Sequence, residues 1–163
     1  MATTDYFLKI DGVKGESQDA NHKEQIDIES FSWGENNVTT IGSATSGAGA
    51  GKVKFDSFVF TTRVSQASPT LALMCANGTH APTAVLVARK AGGKQEEYYK
   101  VTFKIVFITG YKSIGVGGTD LIPRDEVTCV FGSYEIDYRP QSRDGTLGAS
   151  ITNGWNQITN KKV

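Results

Sequence analysis

Over most of the chain, apolar and polar residues alternate with a period of two, the mark of strands that bury one face. Tyr6, Leu8 and Ile10 alternate with Phe7, Lys9 and Asp11 and predict a first strand, followed by a polar connection from Gly12 to His22. In the next run Ile26 and Ile28 share one parity, while Phe31 and Trp33 share the other. A regular strand cannot bury both pairs, so the pattern predicts a β-bulge near Ser30, and bulges bend strands as a barrel wall requires. Val38 and Ile41 suggest a short strand before the stretch Gly42 to Gly51, which contains only Gly, Ala, Ser and Thr. That stretch is too small and permissive to pack a core and is expected to protrude as a mobile loop. Strand chemistry returns from Lys52 to Thr62.

One segment breaks the period. Ser68-Pro69 in front and Asn77-Gly78 behind punctuate a helix over about 68–77, with Ser68 as N-cap, Pro69 at the first helical position and Gly78 in the left-handed terminal conformation. Leu71, Leu73, Met74 and Cys75 leave it little polar surface, so it should lie across a sheet or plug a barrel mouth. Pro82 to Ala91 then turns at Gly92-Gly93 and returns from Glu97 to Ile108. In the returning strand Tyr99, Val101, Phe103, Ile105 and Phe107 are expected on one face, with Lys100, Thr102 and Lys104 on the other. After a glycine-rich connection from Ser113 to Asp120, a last long run carries Val127, Cys129 and Phe131, then Tyr134, Ile136 and Tyr138, and ends at Pro140. The remainder, through Trp155 and Ile158, reads as a covering arm with at most one short strand. The expected class is mainly β, closed or nearly closed, with a single helix; without a repeat or a long linker, residues 1–163 read as one domain.

Charge changes little. Lys plus Arg equals Asp plus Glu at 17 each, so no global field attracts nucleic acid or an anionic membrane, and close packing against other proteins is tolerated. The first residues form neither a signal peptide nor a spanning segment, which predicts a chain made in the cytoplasm without membrane insertion. Cys75 and Cys129 stand 54 positions apart with no CxxC and are expected as buried free thiols.

Candidate chemistry is sparse. Gly47-Ala48-Gly49-Ala50-Gly51-Lys52 approaches a phosphate loop, but its first glycine is one position too close, Val53 replaces the required hydroxyl, and a strand follows. His22 and His80 lie in separate polar connections without metal-ligand spacing and read as surface or turn residues. The pairs Asp19 and Glu24, and Asp125 and Glu126, read as solvated charge. Arg89-Lys90 and Lys94 beside Tyr98 and Tyr99 read as a hairpin tip kept soluble by charge rather than a single-strand platform. No catalytic, cofactor or metal residue is predicted, and assembly is favoured over chemistry. A polysaccharide- or nucleic-acid-binding barrel is the alternative.

Six short motifs, in order, carry a resemblance: Val13-Lys14-Gly15-Glu16-Ser17, Phe31-Ser32-Trp33-Gly34, Gly78-Thr79-His80-Ala81-Pro82, Arg89-Lys90-Ala91-Gly92-Gly93, Tyr138-Arg139-Pro140-Gln141 and Gly154-Trp155-Asn156. Together they resemble the Hcp, or haemolysin-coregulated protein, family of type VI secretion inner-tube proteins, over nearly the whole chain. Phe31 stands where the family often has tryptophan. The resemblance implies a β-barrel of two antiparallel sheets with one flanking helix. It further implies a homohexameric ring whose copies stack into a hollow tube and leave the cell without a cleavable signal peptide. Contractile sheath, spike and baseplate proteins would be its partners, and small effector proteins its cargo. By correspondence with the family motif, Ser32 would face the lumen and touch cargo; parity also leaves open a core position beside the bulge. The loop carrying Gly42, Ser46, Gly47, Gly49 and Gly51 is the candidate contact to the neighbouring ring. Lys100, Thr102 and Lys104 would face either the lumen or the sheath.

Overall fold

The structure, a computed structural model, describes residues 3–39, 50–91, 93–119 and 122–163. Its elements run β1 (Thr3–Ile10), β2 (Ile26–Thr39), β3 (Ala50–Arg63), α1 (Ala67–Asn77), β4 (His80–Ala91), β5 (Glu97–Ile114), β6 (Arg124–Tyr138), β7 (Ile151–Asn156) and β8 (Lys161–Lys162). Every pairing is antiparallel, in the order β3-β2-β1-β4-β5-β6-β7-β8, and a further β3–β6 pairing closes the first six strands on themselves. The two sheets implied by the resemblance are thus hydrogen-bonded into one continuous, closed sheet, which removes edges an open sheet would expose. The C-terminal arm contributes two strands rather than the one expected. β7 extends the sheet from β6, and β8 adds two residues.

Aromatic side chains fill the interior. Phe58 stacks on Phe103 at 4.7 Å, Phe103 meets Phe131 at 4.6 Å, and Trp33 stands edge-on to Phe103 at 5.6 Å. Phe58, Phe60 and Phe103 are almost completely buried. These contacts require the bend read from the sequence. The register moves from Ile28↔Thr62 to Ser30↔Thr61, so Glu29 is the extra residue of a bulge. That one residue lets Ile26 and Ile28 before it, and Phe31 and Trp33 after it, all turn inward.

A second bend was not legible. On β5 the inward set is Val101 and Phe103, then Val106 and Ile108, so Ile105 and Phe107 point outward, contrary to the single face expected. Ile105 has φ +57°, and the register of its neighbours places it opposite Gly132 on β6, where the inward parity changes as well. Two adjacent strands therefore change face together, and no alternation rule anticipates a β-branched residue in that conformation.

The helix is where expected, but its start is built differently. Gln66 precedes its first residue, with no side-chain cap, and Pro69 is the third helical residue. Ser68 is not the N-cap. Its hydroxyl accepts from the Ser65 amide at 3.0 Å and donates to Asp125 Oδ2 at 2.5 Å. Asp125 is fully buried on β6, and the Tyr111 hydroxyl donates to its other oxygen at 2.8 Å. A buried carboxylate without donors costs more than an unmade helix cap, so the tertiary demand claims Ser68. At the far end Gly78 takes φ 71°, ψ 18° and its amide bonds to the Met74 carbonyl, as expected. Ala67, Leu71 and Met74 face the barrel core, whereas Leu73 is exposed.

Ser68→Ala should cost about 1–3 kcal/mol in urea unfolding, because it leaves Asp125 with one side-chain donor. A loss below about 0.5 kcal/mol, typical of an exposed serine, would show that this bond does not anchor the helix.

Candidate assembly interface

β3 bonds to β6 only from Phe58 to Arg63, while from Ala50 to its middle it bonds to β2 alone. The outer halves of β2 and β3 therefore form a two-stranded ribbon leaving the barrel wall. Phe55 holds it down by stacking on Phe131 at 5.1 Å. Tyr134 of β6 meets Phe55 at 5.3 Å and donates its hydroxyl to Glu35 Oε1 at 2.7 Å. Burial, and secondarily the Glu35 carboxylate, push the Tyr134 phenol well above its ordinary range, so it remains a neutral donor. Between ribbon and wall lies an open cleft of about 540 Å³, lined by Glu35, Asn37, Val53, Tyr134, Asn153 and Trp155.

Of the residues assigned to the glycine-rich loop, Gly42, Ser46, Gly47 and Gly49 lie outside the described residues. Gly51 belongs to β3 instead. A Cβ there would stand 2.0 Å from the Val38 carbonyl oxygen, so the close approach of the two ribbon strands excludes any side chain at that position. Ser32 is exposed on β2, opposite Val59, between two inward aromatics. Of its two readings, the core position is the one that fails: Phe31 packs on Tyr6 and Trp33 on Phe103, and Ser32 points the other way. From Glu29 onward, the edge of β2 away from β3 has no strand partner among the described residues.

Two residues read from the sequence as surface groups are buried. Arg89 is 3% exposed, not a solvated hairpin-tip cation; its guanidinium lies 4.8 Å over the Phe7 ring, 2.6 Å from Asp19 and 3.4 Å from Asp5. His22 is also buried, its ring stacked on Phe7 with centroids 4.3 Å apart, and its Nε2 is 2.7 Å from Glu97 Oε1. The connection after β1 thus folds over the outer face of that strand. Asp19, expected as solvated charge, is tied to Arg89, and Asp125, expected likewise, is held by Ser68 and Tyr111. A signal existed in the buried-side parity of Phe7, which demanded a cover on the outer face of β1.

Among the described residues no group of three His, Cys, Asp or Glu side chains is placed to hold a metal ion. Cys75 and Cys129 are both free, and burial pushes the Cys129 thiol up to about 12, leaving it protonated and unreactive. Cys75 is only partly buried, in departure from the expectation for it. No helix of the described residues is long and apolar enough to cross a membrane.

The described residues thus form a mainly β, closed antiparallel barrel with one helix docked against it and a stretch of β2 edge that has no strand partner among them. The model of the family described as "Type VI secretion system effector, Hcp" matches residues 7–138. Protein hcp1 of Pseudomonas aeruginosa is 40% identical over 154 residues, covering 93% of this chain and 94% of its own. Among solved structures, one titled "Structure of a type six secretion system protein" superposes with a TM-score of 0.93 at 31% identity, covering 99% of this chain and all of its own. Hcp1 of Salmonella typhimurium gives 0.79 at 32% identity, with both chains covered completely. The chain belongs to the Hcp family of type VI secretion.

The buried ion pair makes stability sensitive to acid. The hydrogen bond from Arg89 holds the Asp19 carboxyl at about 2, below its ordinary 3.8. A folded-state value below the unfolded one gives stability that is complete above about pH 4 and is lost as pH falls towards 2. Unfolding free energies of Asp19→Asn should therefore vary less with pH than those of the unaltered chain in that window. Parallel pH dependences would show that Asp19 carries no such coupling.

Proposed function

We propose that this chain is a type VI tube subunit: six copies close into a ring, rings stack head to tail into a hollow tube, and small effector proteins travel in its lumen. Membership of the Hcp family supports the reading. The observation that carries it is the β2 edge from Glu29 to Thr39, a long strand edge with no strand partner among the described residues, of a kind that soluble chains cover. In a ring, a neighbouring copy covers it. Heterologous contacts that close after a fixed rotation leave two unlike faces for stacking, which suits a chain whose equal charges impose no net self-repulsion.

In this assembly the stretch with Gly42, Ser46, Gly47 and Gly49 reaches the adjoining ring, and Gly51 anchors its return strand. Ser32 faces the channel and touches cargo. The sheath surrounds the tube, the spike caps it and the baseplate starts it. The tube is synthesised in the cytoplasm and expelled by type VI secretion, and the polypeptide itself makes and breaks no covalent bonds.

Size-exclusion chromatography with light scattering should give a mass near six copies, and negative-stain images should show annular particles with a central hole. A monodisperse monomer at high concentration would remove the reading. Ser32→Gln should preserve the annular particles while lowering effector co-purification several-fold; unchanged co-purification would strip Ser32 of its cargo role.

A further inference from the structure

The second bend of the barrel wall creates a surface that folding alone does not require. Ile105 and Phe107 point outward from β5 at 43% and 37% exposure. Phe107 is in register with His80 on one side, the two rings 5.3 Å apart, and with Val130, 41% exposed, on the other. Across from Ile105, Gly132 has no side chain, and Ile158 lies over it. A Cβ at Gly132 would stand 2.9 Å from Ile158 Cδ1 and 3.5 Å from Ile105 Cβ. Ile158 is itself 63% exposed. Ile105, Phe107, Val130 and Ile158 therefore form one uncharged ridge across two strands and the C-terminal arm. The left-handed backbone at Ile105 is the costly feature that turns this ridge outward.

The ridge exposes roughly 300–400 Å² of mainly apolar surface, the upper range for a patch on a monomer and about half of the ~800 Å² that each partner contributes to a standard interface. That is the size of an apolar interface centre awaiting a polar rim, and Lys104 and Thr109 border it, both exposed.

The same chain carries a mainly apolar counterpart. Where β5 ends and β6 begins, the described residues Thr61, Ile114, Val116 and Ile122, with Arg124 and Asp125 at one side, line a recess of about 200 Å³, and Val116 is 75% exposed. An apolar cavity of ~150 Å³ accommodates benzene, so this one has room for a phenyl or sec-butyl group. Seven residues of β5 separate Phe107 from Ile114, about 23 Å along an extended strand, so a subunit's own ridge does not fill its own recess. Two unlike apolar faces well apart on one chain are what a heterologous contact needs.

We propose that the Ile105, Phe107, Val130 and Ile158 ridge of one copy docks into the Ile114, Val116 and Ile122 recess of a second copy, as a head-to-tail contact of the assembled protein. This rests on the self-assembly reading above and names the surfaces that carry it. The recess takes one ridge side chain as a knob, and the remaining ridge packs over its apolar rim.

Sedimentation across a concentration series tests it with three variants of the full chain: Phe107→Glu and Ile158→Asp on the ridge, and Val116→Asp in the recess. The unaltered protein should associate, and each variant should weaken association at least tenfold while keeping its circular dichroism spectrum and melting temperature. Ile158 and Val116, being the more exposed, keep the test valid if Phe107→Glu fails to fold. Mixing Ile158→Asp with Val116→Asp should yield pairs and nothing larger, since each retains one intact face and the two intact faces match. A monomeric unaltered protein would sink the self-assembly reading itself. Association of the unaltered protein together with full association of Ile158→Asp and Val116→Asp would overturn only this assignment of surfaces, as would a mixture that gives no pairs.

Discussion

Six residue pairs between β3 and β6, from Phe58↔Cys129 to Arg63↔Arg124, turn an open sheet into a closed wall, and the rest of the molecule is arranged around that closure. It can form only because β2 and β3 bend toward β6. The bend needs an unpaired residue at Glu29, which also brings Phe31 and Trp33 onto the inner side with Ile26 and Ile28. The aromatic interior is the energetic return for that distortion. Each ring buries a large apolar area and meets its neighbours in the tilted, stacked or edge-on geometries that the ring quadrupole favours.

Closure leaves remainders. β3 is longer than the part of it that β6 can accept, so its first half leaves the wall with β2 as a ribbon. β2 is longer than the part that β1 covers, so its outer edge has no strand partner among the described residues. β5 and β6 change face together at Ile105 and Gly132, which keeps the core filled on both sides of the bend but turns two large side chains into solvent. In the proposed assembly, neighbouring copies cover both the open edge and the uncharged ridge.

Buried polar groups obey the same economy. Asp125 is tolerable at complete burial because Ser68 and Tyr111 both donate to it, which ties α1 to the strands. Arg89 is tolerable because Asp19 and Asp5 face its charge and Phe7 its plane.

Much of this was legible before any coordinates. The period of two announced the strands, the parity conflict among Ile26, Ile28, Phe31 and Trp33 located the bulge, and Asn77-Gly78 marked the helix end, because each is a local rule written in adjacent side chains. The six ordered motifs reached the family for the same reason. Ser32 could be named from the chain, but its outward direction waited on knowing that both flanking aromatics point inward. Three-dimensional contact alone decided that Ser68 serves Asp125 fifty-seven positions away rather than the helix start. It also buried Arg89 and His22 around Phe7, placed Gly51 within a strand, and reversed the face of β5 at Ile105. In each case the competing demand came from a residue distant in sequence, and a pattern of neighbours holds no record of it.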